Sequence, residues 1–551
     1  MNVRHDTKWW IATALTIIGI GLCGNKAMAQ PVGPGDAEQG VDVLTRGPVH
    51  EAFAETVSLN PEPGLVVAKA PREIIEEVPP DQRPEGANVT WIPGYWAWDD
   101  ERDDFLWISG VWRDLPPGRQ WVPGYWGQSN QGHQWTSGYW ADAGVDEVEY
   151  LPEPPDSVEI GPNIVAPAPN LVWVPGSWIW YHGRYAWRPG YWAAGRPNWM
   201  WVPAHYIWAP RGYVYSDGYW DYPVERRGVL FAPVCFEREV YSRRGYSYSP
   251  SFAINLSVFS DQLFVRPRYH HYYFGDYYDT RYESTGFFAS FSYHSSRYGY
   301  DPIYAHRRWE HRGDRDWDRR DRDTFAHRRD YVDARPARTL RAQREFSTRP
   351  TRSGESRIEV ASAFNLLTKR KDGSLRFQKV DQAERTQLSQ RGRAIQNTRG
   401  ERQRSEIRTA VPPNEKNSRV LEPARAKLPK PTVVSKPVSQ YGKGQAPPKR
   451  HIAPQPDPKV EPKARRTDGQ PVATRAAPAR KADPPTNVAK AQPKPKRPDL
   501  QAQPPRGEPR EKKAEPKRDP PREQPKQNSK GKSDEKPKDE KKPKDKSKGK
   551  P

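Results

Sequence analysis

Eight short aromatic motifs recur between residues 91 and 220, and they constrain the fold more than any other feature of the chain. The first set is Trp91-x-x-Gly94-x-Trp96, Trp107-x-x-Gly110-x-Trp112, Trp121-x-x-Gly124-x-Trp126 and Trp135-x-x-Gly138-x-Trp140. The second is Trp173-x-x-Gly176-x-Trp178, Trp187-x-x-Gly190-x-Trp192, Trp201-x-x-Ala204-x-Tyr206 and Tyr215-x-x-Gly218-x-Trp220. A fixed period marks a repeat architecture. Motif starts step by 16, 14 and 14 residues in the first set and by 14 throughout the second, which suits one strand and one turn per unit. Aromatic and β-branched residues favour strands. Asp99–Asp104, Pro116–Gly118, Ser129–Gly132 and His182–Gly183 supply turn chemistry between them. The expected fold is mainly β, with two four-stranded antiparallel meanders built from these units.

Side chains alternate along a strand, so two rings five residues apart face opposite ways unless a residue is inserted. The Pro-Gly or Ser-Gly step is the natural place for a β-bulge. A type II turn there is the rival reading, and it would split each unit into two shorter strands.

Composition divides the rest of the chain. Of 22 tryptophans, 18 lie between Trp91 and Trp220, so the core belongs to that region and its sequel. Residues 1–29 read as a signal peptide: Arg4 and Lys8, an apolar run from Trp9 to Leu22, then Ala27-Met28-Ala29. That run is short of a bilayer span, and no later stretch suits one. Residues 30–88 read as a linker with one short strand at Leu65–Ala68 and a short helix at Arg72–Glu77. The first repeat block, 89–144, and the second, 171–222, flank an acidic Pro-rich connector at 145–170. A Tyr-rich β extension fills 223–300, with strands at Val229–Val234, Glu239–Ser242, Phe252–Val258, Gln262–Val265, Tyr269–Phe274 and Phe287–Tyr293. Residues 301–410 read as charged, Arg-rich helices, starting with Asp301 as cap and Pro302 at the first position. One helix candidate runs from Asp314 to Asp333 and another over Val380–Thr409, too polar to be stable alone. The Lys/Pro-rich segment 411–551 holds 29 of the 60 prolines and cannot offset its chain entropy by burial, so disorder is expected. It carries 38 Lys and Arg against 17 Asp and Glu, which accounts for the whole net charge of +21.

The repeated Trp, Gly and Trp positions resemble the WXXGXW (also YXWGXW) repeat family of secreted bacterial proteins. The run Arg266–Tyr278 resembles an extension of some large members. The resemblance implies export to the periplasm, cell envelope or exterior, and a repeat fold. It transfers no catalytic residue and no cofactor.

Candidate chemistry is sparse. No nucleophile elbow or phosphate loop is present, so a non-enzymatic role is expected. The rings serve a core, a glycan-stacking surface, or both; Trp98, Trp180, Trp199 and Trp208 lie outside the motif and are the candidate exposed, ligand-binding rings. Asp99–Asp104 reads as a solvated acidic tip, lacking the oxygen spacing of a calcium loop. His270, His271, Asp276 and Asp279 are considered for a metal and set aside, because adjacent strand residues face opposite sides. Loss of the leader would leave Cys235 the sole cysteine, a core thiol. The basic tail suits anionic envelope polymers or lipid headgroups, or serves as an extended spacer. Nucleic acid is disfavoured, because the tail lacks aromatics for base stacking. Three roles follow: an envelope platform with a cationic tether, a glycan-binding module, or a polyanion binder acting through the tail.

Overall fold

Consecutive motifs pair with each other, ring against ring. In the computed structural model, Trp91 lies opposite Trp112 and Trp96 opposite Trp107. The same register joins Trp121 to Trp140, Trp126 to Trp135, Trp173 to Trp192, Trp178 to Trp187, Trp201 to Trp220 and Tyr206 to Tyr215. All eight pairs bring ring centroids to 5.0–5.4 Å, mostly edge to face. Such pairs are worth about 0.5–1.5 kcal/mol each beyond their burial. The structure describes residues 38–162, 164–349, 357–370, 373, 375–408, 423–428 and 432–437. The expected signal peptide and most of the basic tail lie outside them.

The mainly β class holds, and its unit is a two-motif hairpin rather than a four-stranded meander. The four hairpins span residues 89–114, 119–142, 171–194 and 200–221. Strand 111–114 does not pair with the next motif. Its free edge takes Gly228–Leu230 instead. The 16-residue first step also has a cause: the first hairpin tip encloses four residues between Asp99 and Asp104, whereas the other three enclose two. His182 and Gly183, at φ 48° and 76°, form the kind of tight turn that matches strand twist.

Each strand is interrupted at the two-residue step between its rings (Pro-Gly or Ser-Gly in the first three hairpins, Pro203-Ala204 and Asp217-Gly218 in the fourth), and both strands of a hairpin break at the same level. In the first hairpin the register runs from Ile92↔Val111 to Tyr95↔Ile108, skipping two residues on each side. Equal skips leave no extra residue, so the expected bulge is not formed. The motif glycines have no positive φ, so the type II turn is not formed either.

The presumed linker is part of the core. Val49, Phe53 and Val57 are fully buried. Val41–Val43 pairs with Val234–Phe236, Gly47–Pro48 with His271–Phe274, and Val57–Ser58 with Gly299–Tyr300. Val66–Val67 forms the expected strand, against the second hairpin. The helix expected at Arg72–Glu77 is absent; Glu76–Glu77 instead pairs in parallel with Ser247–Tyr248, because Ile75 and Glu77 alternate inward.

The Tyr-rich region mixes short strands and helical turns. Glu239–Ser242 is helical (Arg238–Tyr241), and Asn255 caps Leu256–Phe259, ending the expected strand at Ile254. Strand Phe288–Ala289 likewise gives way to helix Ser290–His294. Asp301 caps Pro302–Glu310 as expected, accepting from the N–H groups of Ile303 and Tyr304 at 2.9 and 3.2 Å. Helices Trp317–Asp330 and Gln382–Arg408 follow. The last is sustained by docking: Ile395 and the charged Arg402 and Glu406 are buried where it crosses the first two hairpins. Two short pieces of the basic tail are paired among the described residues. Ala424–Lys427 lies opposite Glu147–Tyr150, with Lys427 facing Glu147 and Arg425 facing Glu149, and Ser435 bonds to Arg119.

Candidate functional site

A strand break exposes backbone donors and acceptors, which must find partners when buried. The chain supplies a glutamate to the N–H groups of three of the four breaks, and to side chains flanking the fourth. Glu77 accepts the Gly94 N–H at 2.7 Å, the Trp107 indole N–H at 2.6 Å, and the Gly110 N–H at 3.1 Å. Glu51 accepts the Trp135 indole at 2.9 Å and the Gly138 N–H at 2.9 Å. Glu159 accepts the Trp173 indole at 3.1 Å and the Gly176 N–H at 2.5 Å. In the fourth hairpin Glu55 meets His205 Nε2 at 3.2 Å and accepts the Tyr219 hydroxyl at 3.0 Å. Burial raises the Glu77 carboxyl to about 7 and that of Glu51 to about 8, against the opposing pull of their N–H donors.

The opposite side of the break presents carbonyls. His50 Nε2 lies 3.2 Å from the Pro93 oxygen, and Gln396 donates to Gly94 at 3.2 Å. Arg402 donates to Pro123 and Ser137, both at 2.9 Å. Arg119 donates to Asp217 at 2.9 Å and Gly218 at 3.2 Å.

The motif glycine serves close approach. A Cβ on Gly110 would stand 2.5 Å from Trp91, one on Gly138 2.5 Å from Trp121, one on Gly124 2.7 Å from Trp135, and one on Gly218 2.5 Å from Trp201. Gly94 meets Trp107, Gly176 meets Trp187, and Gly190 meets Trp173 in the same way. Each glycine thus accommodates the leading ring of the partner motif. By this reciprocity the position of Ala204 answers Tyr215, the one leading ring that is smaller than indole. The two departures from the motif compensate each other.

A cleft of about 330 Å³ opens beside the first hairpin tip, lined by Trp98, Asp99, Glu101, Arg266, Tyr273 and Arg281 among others. The acidic tip is not merely solvated. Arg46 and Arg281 pair with Glu101, Arg72 with Asp104, Lys69 with Asp103, and Arg266 with Asp100. Burial opposes ionisation of Glu101, but hydrogen bonds from Arg46 and Tyr282 outweigh it and hold the carboxyl at about 2. Arg266 is buried between the rings of Tyr269 and Phe287, 3.4 and 4.4 Å from their centroids. Rings, guanidinium groups and carboxylates therefore share one concave surface, a chemistry suited to a polyhydroxylated ligand.

Of the four candidate exposed rings, none is exposed. Trp98 is buried at the cleft with its indole bonded to Asp100, and Trp199 is buried against Tyr222. Trp180 and Trp208 are half-buried, Trp180 edge-on to Tyr185. His270, His271, Asp276 and Asp279 do not converge: His271 meets the Tyr95 hydroxyl at 2.8 Å, Asp276 binds Arg338, and Asp279 caps Thr280–Ser284. Cys235 lies on a paired strand, and burial pushes its thiol up to about 12.

The unit seen in space is also the unit of sequence similarity. The family model described as "WXXGXW repeat (2 copies)" matches residues 86–113, 170–193 and 196–221, each match spanning both motifs of one hairpin, the first, third and fourth. The chain carries WXXGXW repeats in these three segments. No curated protein and no solved structure matches it. Within each matched segment the two copies are the two strands of one hairpin, and in 86–113 and 170–193 a glutamate from outside the strands closes the break.

The motif spacing made the rings and glycines visible. Glu51, Glu55, Glu77 and Glu159 were missed, and so were Arg119, Arg266 and Arg402. The partners of these glutamates are mostly backbone or indole N–H groups, which leave no charge pattern to read.

Proposed function

We propose that this repeat protein is a non-enzymatic, exported cell-envelope protein, whose hairpins form a rigid platform and whose basic tail tethers it to anionic envelope polymers or lipid headgroups. The observation that supports it most is the use of polar chemistry inside the hairpins. The buried glutamates are spent on N–H groups of the strand breaks, and Arg113, Arg119, Arg227 and Arg402 on backbone carbonyls and carboxylates. A leader-like start and a tail of +21 in sequence fit an export route and a charged anchor. The test is fractionation of cells expressing the whole chain or one lacking residues 438–551. The whole chain is expected in the envelope fraction, released by salt as counterions compete, and the shortened chain is expected to be released without salt. Cytoplasmic recovery of both contradicts the proposal.

A glycan-binding role is the second reading, and the cleft at Trp98 favours it. Tryptophan fluorescence titrated with cell-wall glycans is expected to change in the intact chain and to stay flat in Trp98→Ala. Absence of any change at millimolar sugar contradicts it.

A further inference from the structure

Three of the four hairpins add a strand at the same edge. That edge belongs to the second motif strand, in the half nearest the hairpin tip. In the first hairpin Asp104–Ile108 takes Val234–Phe236, in the second Gly132–Thr136 takes Val66–Val67, and in the fourth Gly212–Ser216 takes Glu147–Leu151, each antiparallel. In the third hairpin the equivalent strand, Arg184–Arg188, pairs inward with Ser177–Tyr181, and among the described residues no strand pairs with its outer edge. The register identifies the groups left over. In the second hairpin the Trp135 N–H points outward and donates to the Leu65 carbonyl at 2.9 Å. Trp187 holds the same place in the third, opposite Trp178 as Trp135 is opposite Trp126, and among the described residues no carbonyl beyond its own hairpin accepts from its N–H. Tyr185, two residues earlier, presents its N–H and C=O to the same edge. Leu106 and Val214, at the level of Ala186, are 2% and 3% exposed beside their added strands, whereas Ala186 is half-buried. An unpaired edge is a template for another strand, and proteins blunt it with charge, Pro or a bulge. Here Arg184 and Arg188 bracket an uncharged Tyr-Ala-Trp centre.

We propose that the outer edge of Arg184–Arg188 receives an antiparallel strand from a partner protein, apolar or β-branched at its centre and acidic at both ends. Main-chain bonds at Tyr185 and Trp187 would hold it, as in other strand additions. The apolar centre follows the three strands that fill the equivalent edges, which bring Val234, Val66 and Leu151 to the contact. The acidic ends follow from the receiving strand. Arg184 is exposed and makes no side-chain bond or ion pair among the described residues, and Arg188, half-buried, stands at the other end. Opposite charges across a ladder stabilise it, and like charges destabilise it. The same rule disfavours the two occupants that the chain could supply itself. A second copy paired about Ala186 would set Arg184 against Arg188 twice, and the tail after residue 437 brings Lys, with Pro that cannot donate to a ladder.

The probe is a fluorescein-labelled peptide with the core Glu-Val-Thr-Val-Glu, titrated into the whole chain by fluorescence anisotropy. Saturable binding is expected, at least tenfold weaker for the core Lys-Val-Thr-Val-Lys. The chain variant Arg184→Glu is expected to reverse that preference. Arg184 is solvated, so its replacement leaves folding intact, which thermal unfolding checks. N-methylation of both valines removes the N–H groups that face the ladder and should abolish binding; N-methylation of the threonine, whose N–H points away, should not. Amide exchange supplies a readout on the chain itself. The Trp187 amide is expected to exchange fast in the free chain, unlike that of Trp135, and to slow when the acidic peptide is bound. No saturable binding, or binding indifferent to Arg184→Glu or to the position of the methyl groups, overturns the proposal. So does a Trp187 amide that is already slow in the free chain, since another part of the chain or a second copy would then fill the edge.

Discussion

The Glu77 carboxylate accepts the Trp107 indole N–H at 2.6 Å, although thirty residues and a change of sheet separate them. That bond closes a break that the repeat itself creates. Pro93 and Gly94 cannot continue the ladder, and the freed N–H groups of Gly94 and Gly110 point at the same carboxylate. The repeat is therefore incomplete without its glutamate, and the first prediction concerns it. Glu77→Ala leaves three buried donors without an acceptor, at about 1–3 kcal/mol each. A loss of about 3–5 kcal/mol is expected by denaturant titration. Glu77→Gln, which keeps one acceptor oxygen, is expected to lose less.

Ala204 and Tyr215 supply a test of the glycine rule. Tyr215→Trp restores the motif ring but drives it into the Ala204 methyl. Overpacking of that kind costs about 1–3 kcal/mol. Adding Ala204→Gly is expected to recover most of that cost, although Ala204→Gly alone brings no gain. A double-mutant cycle by thermal unfolding measures the coupling; strict additivity contradicts the reciprocity.

The buried carboxyls predict a pH dependence. Glu77 titrates at about 7 and Glu51 at about 8 in the fold, above the ordinary 4.5. Between those values the folded chain holds protons that the unfolded chain has released. Stability is then fully present below pH 4.5 and declines as pH rises through 7 and 8. A fall on the order of a few kcal/mol from these two groups is expected across that window. Glu77→Gln should flatten its share. His50 and His271 work in the opposite sense: burial lowers them to about 3 and 4, so their contribution is lost as pH drops below the ordinary 6.5.

Asp221 holds two buried guanidinium groups, Arg113 at 2.6 Å and Arg227 at 3.0 Å, joining the first hairpin to the end of the fourth. Removing one partner of a buried ion pair typically costs about 3–5 kcal/mol. Asp221→Ala is expected to lose at least that much, and Arg113→Met with Arg227→Met in the same background to recover part of it. Equilibrium unfolding of the two variants checks the order.

The aromatic period made the strands legible, the turn residues between motifs the hairpin tips, and the Asp301-Pro302 step the helix cap. It did not reveal which strands pair, because equal spacing serves a meander and a row of hairpins equally well. The decisive term was the Gly228–Leu230 edge strand, which takes the position a neighbouring motif would have held. Residues 38–88 read as a linker because they lack periodicity, and in the fold they lack it still. They cross several sheets in two- or three-residue strands, with Phe53 and Val57 packed singly into the core. The cleft combines Arg266 with Asp100 from a hairpin tip 166 positions earlier. Such a meeting is set by tertiary packing and leaves no local trace.

Amide hydrogen exchange resolved at Gly94 and Gly110, compared between the intact chain and Glu77→Ala, tests the carboxylate-closed hairpin most directly. Both amides are expected to be protected in the intact chain and to lose protection in the variant, while Trp91 and Trp112 on the flanking ladder stay slow. Free exchange at both glycines in the intact chain, or protection that survives loss of the carboxylate, contradicts the account.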